Sequence, residues 1–369
     1  MDINTRIDQI KADLDIRKAM HAEMEKVLND KQANLMPGKY KLIYAANKKL
    51  AYINNKKVKE HVKKLATPSY YKSDTRQFIV NHVKRTIDNL IIKDIDLSHD
   101  DHSTVFQGEL VMLTREADIK IFDFEKNLVK TFFTACEYEK RKENYQVFKD
   151  HFNSTIINLD DLELSITEKL IAFKPYKDWE REEREKLFKI VFDNYLNFGK
   201  SFSKDKRRQK SGREIMLRYK TKIGQDELIQ LIENYLNIYN LDRSFPMIKA
   251  HGDFTTNNIL LNEDTYYFID WEDSFEYVFF YDICNLIFVD YLHTGDRELL
   301  DYYLTGQLDD KLSELFDFYG IKYDPDKKVA YLLIFICERI TKFEYNKNPK
   351  NLHQKINRYI EIVDDMTLN

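Results

Sequence analysis

The sequence predicts an α+β chain in two parts, a small strand-rich part followed by a larger, mainly helical one, behind an N-terminal extension. Three observations predict it. Short apolar or alternating runs crowd between Val105 and Phe173, helical periodicity dominates from Trp179 onward, and one hairpin-like segment between 247 and 282 interrupts the helices. The predicted boundaries are 1–97 for the extension, 98–173 for the strand-rich part and 174–369 for the helical part.

Composition supports a globular chain. Of 369 residues, 43% are hydrophobic and 14% aromatic, while Gly (9) and Pro (6) are scarce, which excludes disordered and collagen-like chains and favours long helices. The three cysteines, Cys136, Cys284 and Cys337, have no metal-ligand or redox spacing and are expected in the core of a protein from a reducing compartment. The N-terminus lacks the apolar stretch of a signal peptide and no later stretch reaches membrane-spanning length, so a cytoplasmic location is expected.

Taken in order, the extension opens on a charged amphipathic helix over 2–30, with Ile3, Ile7, Ile10, Leu14, Met20, Met24 and Leu28 near helical spacing. A hairpin follows, Tyr40–Tyr44 and Leu50–Ile53 flanking a polar turn, and then a helix from Gln77 to Ile92. Three strands come next, Val105–Leu113, Asp118–Phe124 and Leu128–Phe133, the last two joined by the tight turn Glu125–Asn127. Cys136–Phe148 reads as a charged helix, and Leu162–Phe173 returns to strand character.

The segment that carries chemistry begins at Met247. It leads into His251-Gly252-Asp253, and Asn258–Asn262 is then joined to Tyr266–Asp270 by Glu263-Asp264-Thr265. A three-residue turn there sets 262 against 266, and Asn258 then falls opposite Asp270 at the open end. Phosphoryl transfer needs hard oxygen ligands for Mg²⁺ and a carboxylate that orients and deprotonates the acceptor hydroxyl. Asp253, Asn258 and Asp270 are such a set.

His-Gly-Asp, four residues, Asn, and then Ile269-Asp270-Trp271-Glu272 resemble the aminoglycoside phosphotransferase and choline kinase family, most closely over Met247–Asp282. The resemblance implies a two-lobed protein-kinase-like fold and ATP as the phosphoryl donor. It implies Asp253 as catalytic base, Asn258 and Asp270 as Mg²⁺ ligands, and His251 as a support for the loop. By the same resemblance the nucleotide lysine is Lys130, its helix partner is Glu143 with Glu139 one turn earlier as runner-up, and Glu168–Ile171, with Glu168 and Leu170, stands where a hinge would offer backbone groups to adenine. The loop from Thr114 to Ala117 occupies the place of a Gly-rich phosphate loop but lacks its glycines, Gly108 being the nearest. Asp282 reads either as the family's later aspartate or as a helix N-cap.

Two other signals are set aside. Gly199-Lys200-Ser201 has Asn194 where a P-loop requires its earlier glycine, and His99-Asp100-Asp101-His102 has no third ligand cluster nearby. Net charge is −4 but uneven, with +12 over Lys31–Lys93 and +8 over Lys200–Lys222. The run Lys204–Arg213 suits an anionic partner, whether an acceptor or a membrane surface, and no nucleic-acid-binding motif accompanies it. With only eleven residues between Asp270 and Asp282, a small molecule or glycan hydroxyl is the expected acceptor, and an acidic or phosphorylated sugar if the basic run borders the acceptor pocket. The alternatives are an aminoglycoside-modifying kinase and an inactive scaffold that holds a nucleotide or glycan.

Overall fold

Strands form where apolar side chains fall on both faces of an extended chain, and here each face has its own cover. The computed structural model describes residues 18–45, 48–66, 94–97, 106–114, 118–201, 208–224, 227–239, 243–345 and 352–367. Residues 2–17 of the helix expected over 2–30, the helix expected over 77–92, the His99–His102 cluster, the loop 115–117 and residues 204–207 of the basic run lie outside the described residues. The chain divides into two units, Met1–Lys140 with Thr155–Ile171, and Arg141–Ser154 with Ala172–Asn369.

In the first unit the described strands are β1 (Gly38–Ala45), β2 (Lys48–Ile53), β3 (Ile95–Leu97), β4 (Leu110–Leu113), β5 (Ile119–Asp123), β6 (Leu128–Phe132), β7 (Ile156–Asp160) and β8 (Ser165–Lys169). They make one antiparallel sheet in the order β3-β1-β2-β4-β5-β6-β8-β7. The predicted hairpin forms, with Tyr40 opposite Ile53 and Leu42 opposite Ala51. Its second strand pairs with β4, Tyr52 meeting Leu110, so the segment expected to precede the strand-rich part extends the same sheet.

Alternation explains the continuous apolar run of β4. Val111 packs with Leu42, Ala51, Ile121 and Phe132 under Met24 and Leu28 of the helix 18–30. Leu110 and Met112 pack on the other face with Leu50, Tyr52 and Phe122, under Val58 and Val62 of the helix Lys56–Ala66. A sheet covered on both faces reads as apolar throughout rather than as a clean alternation.

The second unit is mainly helical. Its described strands are β9 (Gln209–Ser211), β10 (Ser244–Ala250), β11 (Ile259–Asn262), β12 (Thr265–Phe268) and β13 (Phe275–Val278), set as a β13-β10-β9 sheet and a β11-β12 hairpin. One core runs through it, built on the helices Arg181–Lys200, Tyr281–Thr294 and Lys328–Arg339. Every residue from Ala330 to Arg339 is buried, so this helix is wrapped on all sides. Gly199 and Lys200 end a twenty-residue helix, which removes any resemblance to a P-loop.

The cysteines correct one expectation. Cys284 and Cys337 are buried, but Cys136 is exposed in the first turn of the helix Ala135–Phe148. No described helix is long and apolar enough to cross a membrane.

Candidate active site

The loop after β10 is tied down by a residue far along the chain. Asp282 accepts the backbone N–H of His251 at 2.6 Å on Oδ2 and that of Gly252 at 3.0 Å on Oδ1, and Tyr195 donates its hydroxyl to Oδ2 as well. Asp282 is therefore a loop clamp and not the N-cap considered from sequence. Phe280 holds the cap position of the helix Tyr281–Thr294, and the carboxylate is spent on the loop. Burial pushes the Asp282 carboxyl up, against the pull of the three donated hydrogen bonds.

Gly252 is required by its place. Its φ is +87°, and a Cβ there would stand 2.2 Å from the carbonyl oxygen of Asp273. His251 is fully buried and bridges loop to hairpin. Its Nε2 lies 2.8 Å from the carbonyl oxygen of Ile269, and its Nδ1 accepts the Asp253 N–H at 3.4 Å. The two contacts together assign the ring proton to Nε2, so the support expected of His251 is a neutral imidazole holding both ends of the turn.

Asn258 donates its amide to Asp253 twice, to the backbone oxygen at 2.8 Å and to Oδ2 at 3.4 Å. With its donors used in this way, the end of the amide left for a cation is the acceptor oxygen. The hairpin that carries it differs from expectation by one residue. Asn262 pairs with Thr265 through a two-residue turn, so Asn258 accepts the N–H of Ile269 at 3.0 Å and Asp270 lies one step beyond. The cause is Glu263, which takes a left-handed conformation (φ 52°) and lets the chain reverse without a third turn residue.

Asp270 is itself left-handed, with φ 66° and ψ 53°, at the start of the short 3₁₀ turn Trp271–Asp273, and it is exposed. Such a conformation is uncommon for a non-glycine residue and recurs at functional sites. The neighbours in the motif hold it in place. Trp271 is buried against Phe148 at 4.2 Å and His251 at 4.4 Å between ring centroids, its carbonyl accepts Asn144 Nδ2 at 2.8 Å, and Glu272 pairs with Arg141.

Arg339 is a site residue that sequence reasoning missed. It is 2% exposed, its Nη1 is 4.0 Å from Asp253 Oδ1, and the same nitrogen donates to Asn285 Oδ1. Asn285 and Asp282 stand three residues apart on one helix face, so a single turn fixes both the loop backbone and this guanidinium. Beyond Arg339 the helix passes into a π turn, Ile340–Glu344, a distortion often found at functional sites.

The residues expected to hold nucleotide are described within their own units. Lys130, on β6, donates to Asn34 Oδ1 at 3.1 Å and pairs with Glu163 from the β7–β8 turn. Glu143, expected as its partner, pairs within the helical unit with Lys249 at 2.9 Å. Thr114 closes its loop against Asp118 by accepting the Asp118 N–H on Oγ1 at 3.1 Å. Glu168 accepts Thr155 Oγ1 at 2.6 Å. The N–H groups of Lys169 and Leu170, which the hinge expectation would have offered to adenine, donate instead to Thr155 and Asn127, because β8 is paired on both sides.

No group of three or more His, Cys, Asp or Glu side chains is gathered as a metal cage among the described residues. A two-ligand set of one amide oxygen and one carboxylate suits Mg²⁺, which keeps waters and takes phosphate oxygens for the rest of its octahedron. A surface cavity of about 340 Å³ lined by residues such as Arg243, Tyr323 and Tyr331 includes none of the site residues.

No curated protein matches the chain in sequence. Among solved structures it is similar to the choline kinase LicA of Streptococcus pneumoniae, at 15% identity over 78% of this chain and 99% of that one with a TM-score of 0.38. It is similar to the aminoglycoside phosphotransferase APH(4)-Ia, at 13% identity over 67% and 89% with a TM-score of 0.46. A choline/ethanolamine kinase family protein of Mesorhizobium loti matches at 12% identity over 68% and 85%, with a TM-score of 0.41. Residues 203–317, which contain the whole loop and hairpin, match the profile of the phosphotransferase enzyme family. Over that segment, which carries the loop and hairpin, the chain is similar to the phosphotransferase enzyme family.

Proposed function

We propose that the protein moves the γ-phosphoryl group of ATP, with Mg²⁺, to a hydroxyl of a small molecule or glycan. The observation that carries this reading is the contact of Asn258 with Asp253, which joins a candidate base to a candidate metal ligand in one hydrogen-bonded unit. Asp253 Oδ2 takes the proton of the acceptor hydroxyl, whose oxygen pair forms the bond to Pγ while the bond from Pγ to the β-bridging oxygen breaks and ADP departs. Asn258 and Asp270 are the residues that would hold Mg²⁺, which when bound neutralises charge on the transferring phosphate. His251 and Asp282 keep the loop backbone fixed, so that Asp253 is in place before the acceptor arrives. Lys130 is the proposed nucleotide lysine, a point charge for the phosphates.

The test is incubation with γ-labelled ATP and fractionated extract of the host cell. Label is expected in an acid-soluble small molecule or glycan, lost with EDTA and with Asp270→Ala. Tight Mg²⁺-dependent ATP binding with no labelled product in any fraction would replace this reading with that of a binding scaffold.

A further inference from the structure

The positive charge beside the candidate base is anchored by a neutral residue. Arg339 ends the buried helix Lys328–Arg339 and is 2% exposed. A guanidinium at that depth is costly unless hydrogen bonds and an opposite charge answer it. Its Nη1 donates to Asn285 Oδ1 and lies 4.0 Å from Asp253 Oδ1, and the guanidinium stands 4.6 Å from the centre of the Phe343 ring. Glu338, the residue before it, gives its Oε2 to the Val278 N–H at 3.2 Å and to Lys342 Nζ at 2.6 Å.

Asn285 is an amide where a carboxylate would hold an arginine more tightly. It is fully buried. Arginine carries donors only, so the amide oxygen faces the guanidinium and the NH₂ group faces away. That buried Nδ2 has no hydrogen-bond acceptor among the described residues. An aspartate at 285 would remove the unpartnered donor and set a full negative charge against the guanidinium. It would also cancel the charge that reaches Asp253. A neutral acceptor fixes the guanidinium in place and leaves its charge for the base.

Asp253 is thereby approached at both oxygens. Oδ2 is 3.4 Å from Asn258 Nδ2 and Oδ1 is 4.0 Å from Arg339 Nη1, while the side chain itself is 29% exposed and has room to turn. We propose that Arg339 is a positioning residue for Asp253, its charge holding Oδ1 so that Oδ2 meets the acceptor hydroxyl, and that Asn285 anchors Arg339 without neutralising it. The inference rests on the phosphotransferase reading for the hydroxyl, and on the contacts of Arg339 alone for the pairing.

Asn285→Asp tests it, because it strengthens the anchor and withdraws the charge, so that a positioning role and a purely structural one predict opposite results. The assay uses γ-labelled ATP and the extract fraction that the wild type labels. The variant is expected to melt no lower than the wild type, while kcat falls on the order of 10- to 100-fold and the KM for that fraction and the affinity for ATP stay within about threefold. A wild-type kcat would overturn the inference and leave the phosphotransferase reading standing. Where Asn285→Asp fails to fold, Arg339→Gln serves, since glutamine keeps a donor for Asn285 and loses the charge, and the same fall in kcat is expected. Label in no fraction would count against the phosphotransferase reading, and a second measurement then decides the pairing alone.

That second measurement needs no turnover. The change in melting temperature caused by Asp253→Asn is read in the wild type, in Asn285→Asp and in Arg339→Gln. Removing the Asp253 carboxylate takes an opposite charge from the buried guanidinium, so the melting temperature is expected to fall in the wild type. It should fall by less in either variant, where that charge is paired elsewhere or gone. A fall as large in the variants as in the wild type, or no fall in the wild type, would overturn the inference.

Discussion

Asp282→Asn separates the clamp on the loop from the chemistry in it. In the wild type Oδ2 takes two donors, His251 N–H and Tyr195 O–H, and Oδ1 takes Gly252 N–H. An asparagine keeps most by leaving its oxygen at the Oδ2 position and turning its NH₂ toward Gly252, so one buried N–H loses its acceptor and meets another donor. That loss is about 1–3 kcal/mol. Removing the negative charge offsets part of it, because burial disfavours the ionised carboxylate. The net expectation is a loss of about 1–2 kcal/mol for Asp282→Asn, and about 3–6 kcal/mol for Asp282→Ala, which orphans all three donors. With Gly252 released, a displacement of Asp253 by about 1 Å would lower kcat on the order of 100-fold. Urea unfolding reads the first quantity, and ADP formation with the active extract fraction reads the second. A variant of lowered stability but wild-type kcat would refute the claim that the clamp positions the base, and an unchanged stability would refute the hydrogen-bond account itself.

Three further predictions concern the same unit. Gly252→Ala places a Cβ against the backbone carbonyl of Asp273, in a conformation that itself disfavours alanine by about 1–2 kcal/mol, so urea unfolding should show a loss of about 3 kcal/mol or more. A loss under about 1 kcal/mol would mean that the close approach is relaxed in solution. Lys342 is lowered from 10.5 to about 8 in the folded state, so between those values the unfolded chain binds more protons and stability rises with pH. Relative to Lys342→Met, the wild type should gain on the order of 3 kcal/mol between about pH 7.5 and 10.5, and a flat difference would contradict the burial of the ammonium. Glu263→Gly removes a side chain from a left-handed turn position and should stabilise the protein by up to about 1 kcal/mol by urea unfolding, whereas destabilisation would argue for a different turn.

What the sequence made legible follows from how local each cause is. The hairpin Tyr40–Ile53 shows in its own alternation, but its membership of the large sheet depends on β4, more than fifty residues on, and no local pattern reports that pairing. The hairpin bearing Asn258 and Asp270 was visible in the same way. Its register was not, because a left-handed glutamate at position 263 leaves no mark of the kind a glycine would. Asp282 satisfied the local rule for an N-cap, and only tertiary contact with His251 and Gly252 shows its use.

Tyr195, Asn285 and Arg339 carry no motif at all. They sit on three separate helices, and what brings Tyr195 and Arg339 toward the loop is the packing of an apolar core that any similar set of residues would also produce. The π turn after Arg339 has no composition signal either, since Ile340–Glu344 reads as ordinary helix. Cys136 failed for the opposite reason. Cysteine's usual burial was applied to a residue whose helix turns that side outward.

The central claim is that Asp253 is the base of a phosphotransferase. Asp253→Asn, assayed for ATP-dependent labelling of the acceptor fraction beside a direct measurement of ATP binding, addresses it most closely. The account predicts a fall in kcat of about 10² to 10⁴-fold with ATP affinity and folding retained. Transfer within about threefold of wild type would contradict it, because no other described carboxylate is joined to Asn258 in the same way.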